Sequence, residues 1–294
     1  MHHLPATSQR RACKVLGQPR GTQRYTRCRS SDEVALLRAM HELVRVHPRF
    51  GYRRIHALLR LDGWRINRKR VYRLWKREGF KVPRKQVKKR RVGSSDQGIV
   101  RARATHMDHV WAWDFIHDHD ERGRPLKWLS LVDEFTRECL VLEAARSIRA
   151  IDAVQWLSEA MAVRGAPVFI RSDNGPEFIA GALGRFLDAA SVGALYIEPG
   201  SPWENGYAES FHSRLRDELL DAELFMNLAD AKVLTASWKN DYNHRRPHSS
   251  LGYVTPAAYA ATFRTSLKPA AVGAAPLPSQ ASAHQPLTLI AGGT

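Results

Sequence analysis

The sequence predicts an α/β fold, in which a mixed five-stranded sheet carries helices on both faces, preceded by a small all-helical domain. Residues 32–80 show three amphipathic helical patterns with short breaks between them. From residue 105 onward, three strand patterns come first, and helix and strand patterns then alternate. Leading strands joined by short turns favour an antiparallel start, and the alternation that follows favours parallel additions covered by helices.

The charge distribution separates the two domains. Of 294 residues with a net charge of +17, residues 1–100 hold 27 Lys and Arg against 6 Asp and Glu, and the remainder holds 19 against 23. The basic charge therefore belongs to the first third of the chain. A basic module joined to a mildly acidic one suits a polyanionic substrate such as nucleic acid.

Other classes of protein are disfavoured. Cys13, Cys28 and Cys139 lack paired spacing, which argues against a disulfide framework and against a zinc finger. No apolar run reaches membrane-spanning length. We therefore expect a soluble, intracellular protein without a membrane partner.

Five segments follow from composition and periodicity. Residues 1–31 are predicted to form a basic flexible arm, residues 32–80 a helix-turn-helix domain, and residues 81–104 a basic linker. Residues 105–264 would form the second domain, including its C-terminal helices. Residues 265–294 are rich in Ala, Pro, Ser and Gly and are predicted to be a disordered tail.

The small domain is predicted to contain helices at residues 34–44, 52–61 and 67–78, with Ser31 capping the first and Asn67 the third. The third helix and the linker supply the candidate DNA contacts: Arg68, Lys69, Arg70, Arg73, Lys76, Arg77, Lys88, Lys89, Arg90 and Arg91. The alternative is a helical bundle and tether with a solvated basic face.

Three acids in the second domain stand apart from its apolar patterns. Asp114 interrupts a strand whose alternation puts Trp111 and Trp113 on the opposite face. Asp173 follows the apolar run that ends at Ile170 and precedes an Asn-Gly turn. Glu209 lies in a predicted helix but off its apolar stripe.

Each acid also has an ordinary interpretation, as a satisfied core acid, a turn residue or a helix-surface charge. Together they suggest a site, because three converging carboxylates repel one another and hard divalent cations relieve that repulsion.

Two groups of motifs carry a resemblance to a known family. The acids lie in Trp113-Asp114, in Ser172-Asp173-Asn174-Gly175 and in Asn205-Gly206-Tyr207-Ala208-Glu209-Ser210, with thirty-five residues between the second and the third. These motifs resemble the DDE triad of the retroviral integrase and transposase superfamily. The segments Tyr242-Asn243-His244-Arg245-Arg246-Pro247-His248, Leu251-Gly252-Tyr253 and Thr255-Pro256 resemble the tail of insertion-sequence transposases of the second-reading-frame (OrfB) kind.

The resemblance implies a ribonuclease-H-like fold and a catalytic triad of Asp114, Asp173 and Glu209 that holds two Mg²⁺ ions, with Mn²⁺ as an alternative. It implies cleavage of double-stranded DNA at element ends, followed by strand transfer by the freed 3′-hydroxyl. It also implies a homo-oligomeric synaptic complex, and cooperation with or fusion to an upstream-frame (OrfA) protein. The location that it implies is the cytoplasm of a bacterium, in association with the nucleoid.

Further residues are candidates around the triad. Arg216, Arg245 and Arg246 are predicted to contact phosphates, and Asn174, Asn205 and His248 to support the site. The alternatives are a surface ion pair for Arg216, a helix cap for Asn205, and a turn made rigid by Pro247 for residues 244–248.

Two other functions remain open from the sequence. One is a non-catalytic DNA-binding repressor of the same element, and the other is a nuclease that cleaves without joining.

Overall fold

The computed structural model describes residues 8–25, 31–83, 103–172, 181–196 and 206–266. The basic run at 88–91, the acid at 173 and the asparagines at 174 and 205 lie outside these residues. Among the described helices, none combines the length and apolar character needed to cross a bilayer.

The N-terminal segment differs from the prediction. Residues Gln9–Val15 form helix α1, whose first turn is capped by the Ser8 hydroxyl, and Arg20–Arg24 form helix α2. The segment predicted to be a basic flexible arm therefore contains two short helices within residues 8–25. Both helices are short and polar, so they lack the apolar period on which the sequence argument depended.

Three helices form the small domain, as predicted: α3 (Glu33–Val46), α4 (Tyr52–Leu61) and α5 (Arg68–Arg77). Asn67 caps α5 by accepting from the Lys69 amide at 2.8 Å, which confirms that prediction. Ser31 is not the N-cap of α3, because Asp32 occupies that position. The helices enclose one apolar core: Leu36, Met40, Leu43, Phe50, Ile55, Leu58, Leu59, Ile66, Val71, Leu74 and Trp75.

The second domain is built on five strands: β1 (Val110–His119), β2 (Pro125–Asp133), β3 (Cys139–Ala145), β4 (Phe169–Ser172) and β5 (Gly193–Tyr196). Their order is β3-β2-β1-β4-β5. Strands β1 to β3 pair antiparallel, whereas β4 pairs parallel with β1 and β5 pairs parallel with β4. The predicted mixed sheet is confirmed.

Helices cover both faces of this sheet. Helices α6 (Ala150–Arg164) and α7 (Gly181–Ala189) pack on the face that carries Trp111 and Trp113. Helix α8 (Gly206–Leu215), its continuation as a π-helical turn (Arg216–Leu220), and helix α9 (Leu228–His244) pack on the opposite face. Helix α10 (Pro256–Ser266) follows. This is the arrangement expected of a ribonuclease-H-like domain preceded by a helical module.

Candidate active site

Asp114 lies in the middle of β1, opposite Ser130 of β2. Its side chain is 20% exposed. The strand alternation puts Asp114 on the face of Ile116, which packs with Phe211 and Leu215 of α8. The carboxylate therefore lies between the sheet and the helix that carries Glu209.

His212 of α8 lies between Asp114 and Ser130 and contacts both residues. Its Nδ1 lies 3.5 Å from Asp114 Oδ2, and its Nε2 lies 2.8 Å from Ser130 Oγ, which is itself 3.1 Å from the Asp114 carbonyl oxygen. Burial, with a smaller contribution from the positive charge of Arg216, lowers the pKa of His212 to about 4. The ring is therefore neutral at neutral pH.

The sequence analysis gave His212 no role. The available signal was Ser130, a polar residue between two leucines of β2, which the structure buries completely. A buried hydroxyl requires a hydrogen-bonding partner, and a histidine from a covering helix can supply one.

Glu209 is exposed in the first turn of α8. It lines a cleft of about 710 Å³ together with Gly206, Ser210, His212, Ser213, Arg216, Asp217 and Asp221. His212 lines this cleft and also contacts Asp114, which is not itself one of the lining residues. The structure thus connects Asp114 to the cleft that Glu209 lines through the side chain of His212.

The carboxylates of Asp114 and Glu209 suit a hard divalent cation by their chemistry. Asp114 and Glu209 supply carboxylate oxygens, the ligands that Mg²⁺ prefers. In the described ranges no group of three or more His, Cys, Asp and Glu side chains converges in a metal-binding arrangement. The third predicted acid follows the last residue of β4, Ser172, and lies outside those ranges.

A buried charge cluster lies beneath the site. Arg171 of β4 and Glu134, which follows β2, form an ion pair at 2.8 Å. Burial raises the pKa of Glu134 to about 7, against the opposing effect of Arg171 and Arg137. The Arg137 guanidinium also stacks 4.0 Å from the centre of the Tyr207 ring, two residues before Glu209. The cluster thus connects β4, the β2–β3 connection and the start of α8.

Arg216 lies at the outer edge of the cleft. Its side chain is 45% exposed, with Nη1 3.7 Å from Asp118 Oδ2 and 3.8 Å from Asp221 Oδ1. Its Nη2 donates to the His117 carbonyl oxygen at 3.2 Å. These ion pairs agree with the alternative given for Arg216 from the sequence, and nearly half of its side chain still faces solvent.

The basic residues of α5 fall into two groups. Arg70 forms a two-pronged hydrogen bond with Asp32 at 2.6 and 3.0 Å, and Arg77 donates to Glu33 at 2.7 Å. These two arginines tie α5 to the start of α3. The other four basic residues of the helix are exposed: Arg68, Lys69, Arg73 and Lys76.

The C-terminal arginines differ from each other as well. Arg246 is 2% exposed, and its guanidinium donates to both oxygens of Glu218 at 2.6 Å and lies 2.9 Å from His248 Nε2. The structure does not support the predicted phosphate contact of Arg246, because its guanidinium is committed to this buried network. Arg245 is 57% exposed, with Asp62 as a distant partner at 3.9 Å.

His248 has a structural place in the same network. Burial and the nearby guanidinium of Arg246 lower the pKa of His248 to about 2, so the ring is neutral. It packs edge-on against Tyr242 at 4.9 Å. The structure places His248 in this network together with Glu218, rather than in the cleft lined by Glu209.

Comparisons with known proteins identify both domains. Residues 31–89 match the model of an HTH-like domain, and residues 104–202 and 190–256 match two models described as integrase core domain. Over 265 residues the chain is 37% identical to the "Insertion element IS476 uncharacterized 39.2 kDa protein" of Xanthomonas euvesicatoria, covering 90% of this chain and 75% of that protein.

Two further relatives extend the comparison. The chain is 37% identical over 262 residues to the "Insertion element IS407 uncharacterized 31.7 kDa protein" of Burkholderia multivorans, covering 87% of this chain and 92% of that protein. It is 28% identical over 247 residues to "Transposase InsD for insertion element IS2A/D/F/H/I/K" of Escherichia coli, covering 79% and 80%. The chain therefore belongs to the family of insertion-element transposases that carry an integrase core domain.

Proposed function

We propose that the protein cleaves DNA at the ends of an insertion element and joins the freed 3′-hydroxyl ends to target DNA, with divalent metal bound by Asp114, Asp173 and Glu209. The observation that supports this most strongly is the position of His212, which contacts Asp114 and lines the cleft that Glu209 also lines. Asp114 comes from the central strand and Glu209 from a covering helix. His212 therefore connects acids from two separate elements to one region of the structure.

The pairing of β1 with β4 supports Asp173 as the third acid of the site. Strands β1 and β4 run parallel, and Ala112 pairs with Arg171. In the sequence, Asp114 follows Ala112 by two residues and Asp173 follows Arg171 by two residues, so both acids are equally far from this pair. We infer that Asp173 completes the site from the strand next to Asp114.

The reaction balances without an energy-supplying cofactor. In the first step, water attacks phosphorus at the element end, and the bond to the 3′-oxygen breaks to leave a free hydroxyl. In the second, that hydroxyl attacks a target phosphodiester, so one phosphorus–oxygen bond forms as another breaks. Bound Mg²⁺ would lower the pKa of the attacking hydroxyl or water and stabilise the leaving oxygen. The carboxylates of Asp114, Asp173 and Glu209 would hold the ions in place.

The protein's basic residues would hold the DNA. We propose that Arg68, Lys69, Arg73 and Lys76 of α5 contact double-stranded DNA at the element ends, and that Arg216 and Arg245 contact phosphates. Linker residues Lys88, Lys89, Arg90 and Arg91 would track the backbone. A homo-oligomeric synaptic complex, and cooperation with or fusion to an upstream-frame protein, are further parts of this proposal.

A labelled-oligonucleotide assay tests it. Wild type is incubated with end-sequence duplexes, target plasmid and Mg²⁺ or Mn²⁺, and the products are resolved on a denaturing gel. We expect nicked ends and joined products from wild type, and neither from Asp173→Asn, while DNA binding by gel shift is unchanged. Binding without nicking would favour the repressor. Nicking without joined products would favour the nuclease.

A further inference from the structure

One of the contacts between the small helical domain and the catalytic domain is made through a shared carboxylate. Arg54 of α4 places its Nη1 3.3 Å from Glu218 Oε1, and Arg246 donates to both oxygens of the same carboxylate. Glu218 is therefore held by one guanidinium from each domain.

This contact is removed from solvent. The side chains of Glu218, Arg54 and Arg246 are 8%, 20% and 2% exposed. The Phe50 ring of the small domain lies below both guanidinium groups, at 5.0 Å from that of Arg54 and 5.8 Å from that of Arg246. Charged groups at such a site depend strongly on one another, because removing one partner leaves the other poorly solvated.

The two arginines bind Glu218 with different strength, so a substitution of Arg54 tests the interdomain contact most cleanly. Arg246 is bound through two hydrogen bonds of 2.6 Å, whereas Arg54 contributes one at 3.3 Å. Loss of Arg54 would leave the Glu218–Arg246 pair intact within the catalytic domain. The chain can therefore lose the interdomain contact and keep its own buried ion pair.

The position of Glu218 in the chain gives this contact its importance. Glu218 lies in the π-helical turn that continues α8 without a break, and Glu209 lies in the first turn of the same helix. A displacement at one end of a helical segment is passed along its axis, because successive turns are joined by backbone hydrogen bonds. A shift of Glu218 would therefore move the helix that carries Glu209.

We propose that Glu218 is a positioning residue that couples docking of the helix-turn-helix domain, through Arg54, to the placement of Glu209 in the cleft. This inference rests on the proposed function, in which Glu209 is a metal ligand. Its consequence is that the cleft is fully ordered only when the two domains are docked. Cleavage would then depend on a residue that touches neither metal nor scissile phosphate.

Hydrogen–deuterium exchange on the full chain tests the coupling without DNA or metal. The variant is Arg54→Ala, and its matched control is Arg60→Ala, which removes the same charge from an exposed position on the same helix. We expect amides of residues 206–220 to exchange about tenfold faster in Arg54→Ala, and at the wild-type rate in Arg60→Ala. Equal exchange in both variants and wild type would overturn the proposal, whether or not the protein is active.

Kinetics separate positioning from DNA contact. With end-sequence duplex at saturation, we expect Arg54→Ala to lower the cleavage rate about tenfold, and to change the half-saturating DNA concentration less than twofold. Arg54→Lys, which restores the charge, should recover part of the rate. A variant that weakens DNA binding while cleaving normally at saturation would show Arg54 to be a DNA contact and overturn the proposal.

A double-mutant cycle completes the test. If Arg54 acts through Glu218, then adding Arg54→Ala to Glu218→Gln should change neither exchange nor cleavage beyond the single Glu218→Gln variant. Additive effects would contradict the coupling. Because Glu218→Gln also strips Arg246 of its partner and can unfold the chain, the single Arg54→Ala result decides the matter where the double variant does not fold. If wild type never cleaves DNA, but Arg54→Ala still exchanges faster than wild type at residues 206–220, the proposed function is contradicted and the coupling is still supported.

Discussion

Glu209 and Glu218 lie on one continuous helical segment, yet their surroundings are opposite. Glu209 is exposed at an open cleft. Glu218 is buried between the guanidinium groups of two domains. The open cleft keeps a carboxylate available for a ligand. The interdomain ion cluster of Arg54, Glu218 and Arg246 instead uses a carboxylate to hold two guanidinium groups together. The comparison teaches that the charge of a residue indicates its role only together with its burial and partners.

The largest expected effects contrast these two acids. Glu209→Gln should lower cleavage by about a thousandfold, because a metal ligand is lost, with little change in stability since the side chain is exposed. Glu218→Gln should cost about 3 kcal/mol of unfolding free energy, because Arg246 remains buried without its partner. Urea unfolding and the cleavage assay on both variants check this. A large stability loss in Glu209→Gln would remove the distinction.

The adjacent residues Arg245 and Arg246 give a second comparison between an exposed and a buried charge. Arg246→Ala should destabilise the protein by about 3 kcal/mol, since it leaves Glu218 buried with Arg54 as its weaker partner. Arg245→Ala should cost less than about 0.5 kcal/mol, because Arg245 is exposed. Paired urea titrations measure the difference. Equal effects would mean that the interdomain ion cluster contributes no more to the free energy of unfolding than an ordinary surface ion pair.

The dependence of stability on pH gives a third test of the interdomain ion cluster, because His248 contacts Arg246. His248 faces Arg246, with Arg54, Arg137 and Arg214 nearby, and its pKa is about 2. Because this value lies below that of the unfolded chain, unfolding takes up a proton below about pH 6.5, and stability is lost as pH falls. Between pH 7 and pH 5, wild type should lose about 2 kcal/mol more than His248→Asn.

The measurement for this test is urea unfolding of both proteins at each pH. His47, whose pKa burial also lowers, is present in both proteins and cancels in the comparison. Parallel pH profiles for wild type and His248→Asn would show that His248 titrates as it does in the unfolded chain.

The smallest effects concern the basic helix α5. Arg73→Ala should weaken DNA binding several-fold and reduce the salt dependence of log K by about one, because a phosphate contact is lost. Arg70→Ala should leave that slope unchanged and cost about 1 kcal/mol of stability, because Arg70 binds Asp32. Binding isotherms at several salt concentrations, with unfolding curves, compare the two. A reduced slope in Arg70→Ala would show that this ion pair opens to DNA.

Much of the fold was predictable because it depends on local periodicity. The alternation of β1 and the apolar stripe of α8 gave the correct faces for Asp114 and Glu209, and the order of patterns gave the mixed sheet. The two N-terminal helices were missed because short polar helices carry no apolar period. Asp32 was missed as the N-cap of α3 because Ser31 and Asp32 are both acceptable capping residues.

The charged networks could not be predicted, because they depend on contacts between distant parts of the chain. Arg246 and Arg245 are adjacent and chemically identical, and only the fold shows that one is buried against Glu218. Likewise, Ser130 and His212 are 82 residues apart in sequence. Sequence patterns indicate which face a residue occupies, but the partner that meets it there comes from elsewhere in the chain.

Direct metal binding tests the central claim that Asp114, Asp173 and Glu209 share a cation. Water-proton relaxation during Mn²⁺ titration would be measured for wild type, Asp114→Asn, Asp173→Asn, Glu209→Gln and the exposed control Glu223→Gln. Each of the three variants should bind Mn²⁺ at least about tenfold more weakly than wild type, and the control should bind normally. Wild-type affinity in any one of the three would contradict a shared site and, with it, the proposed catalytic mechanism.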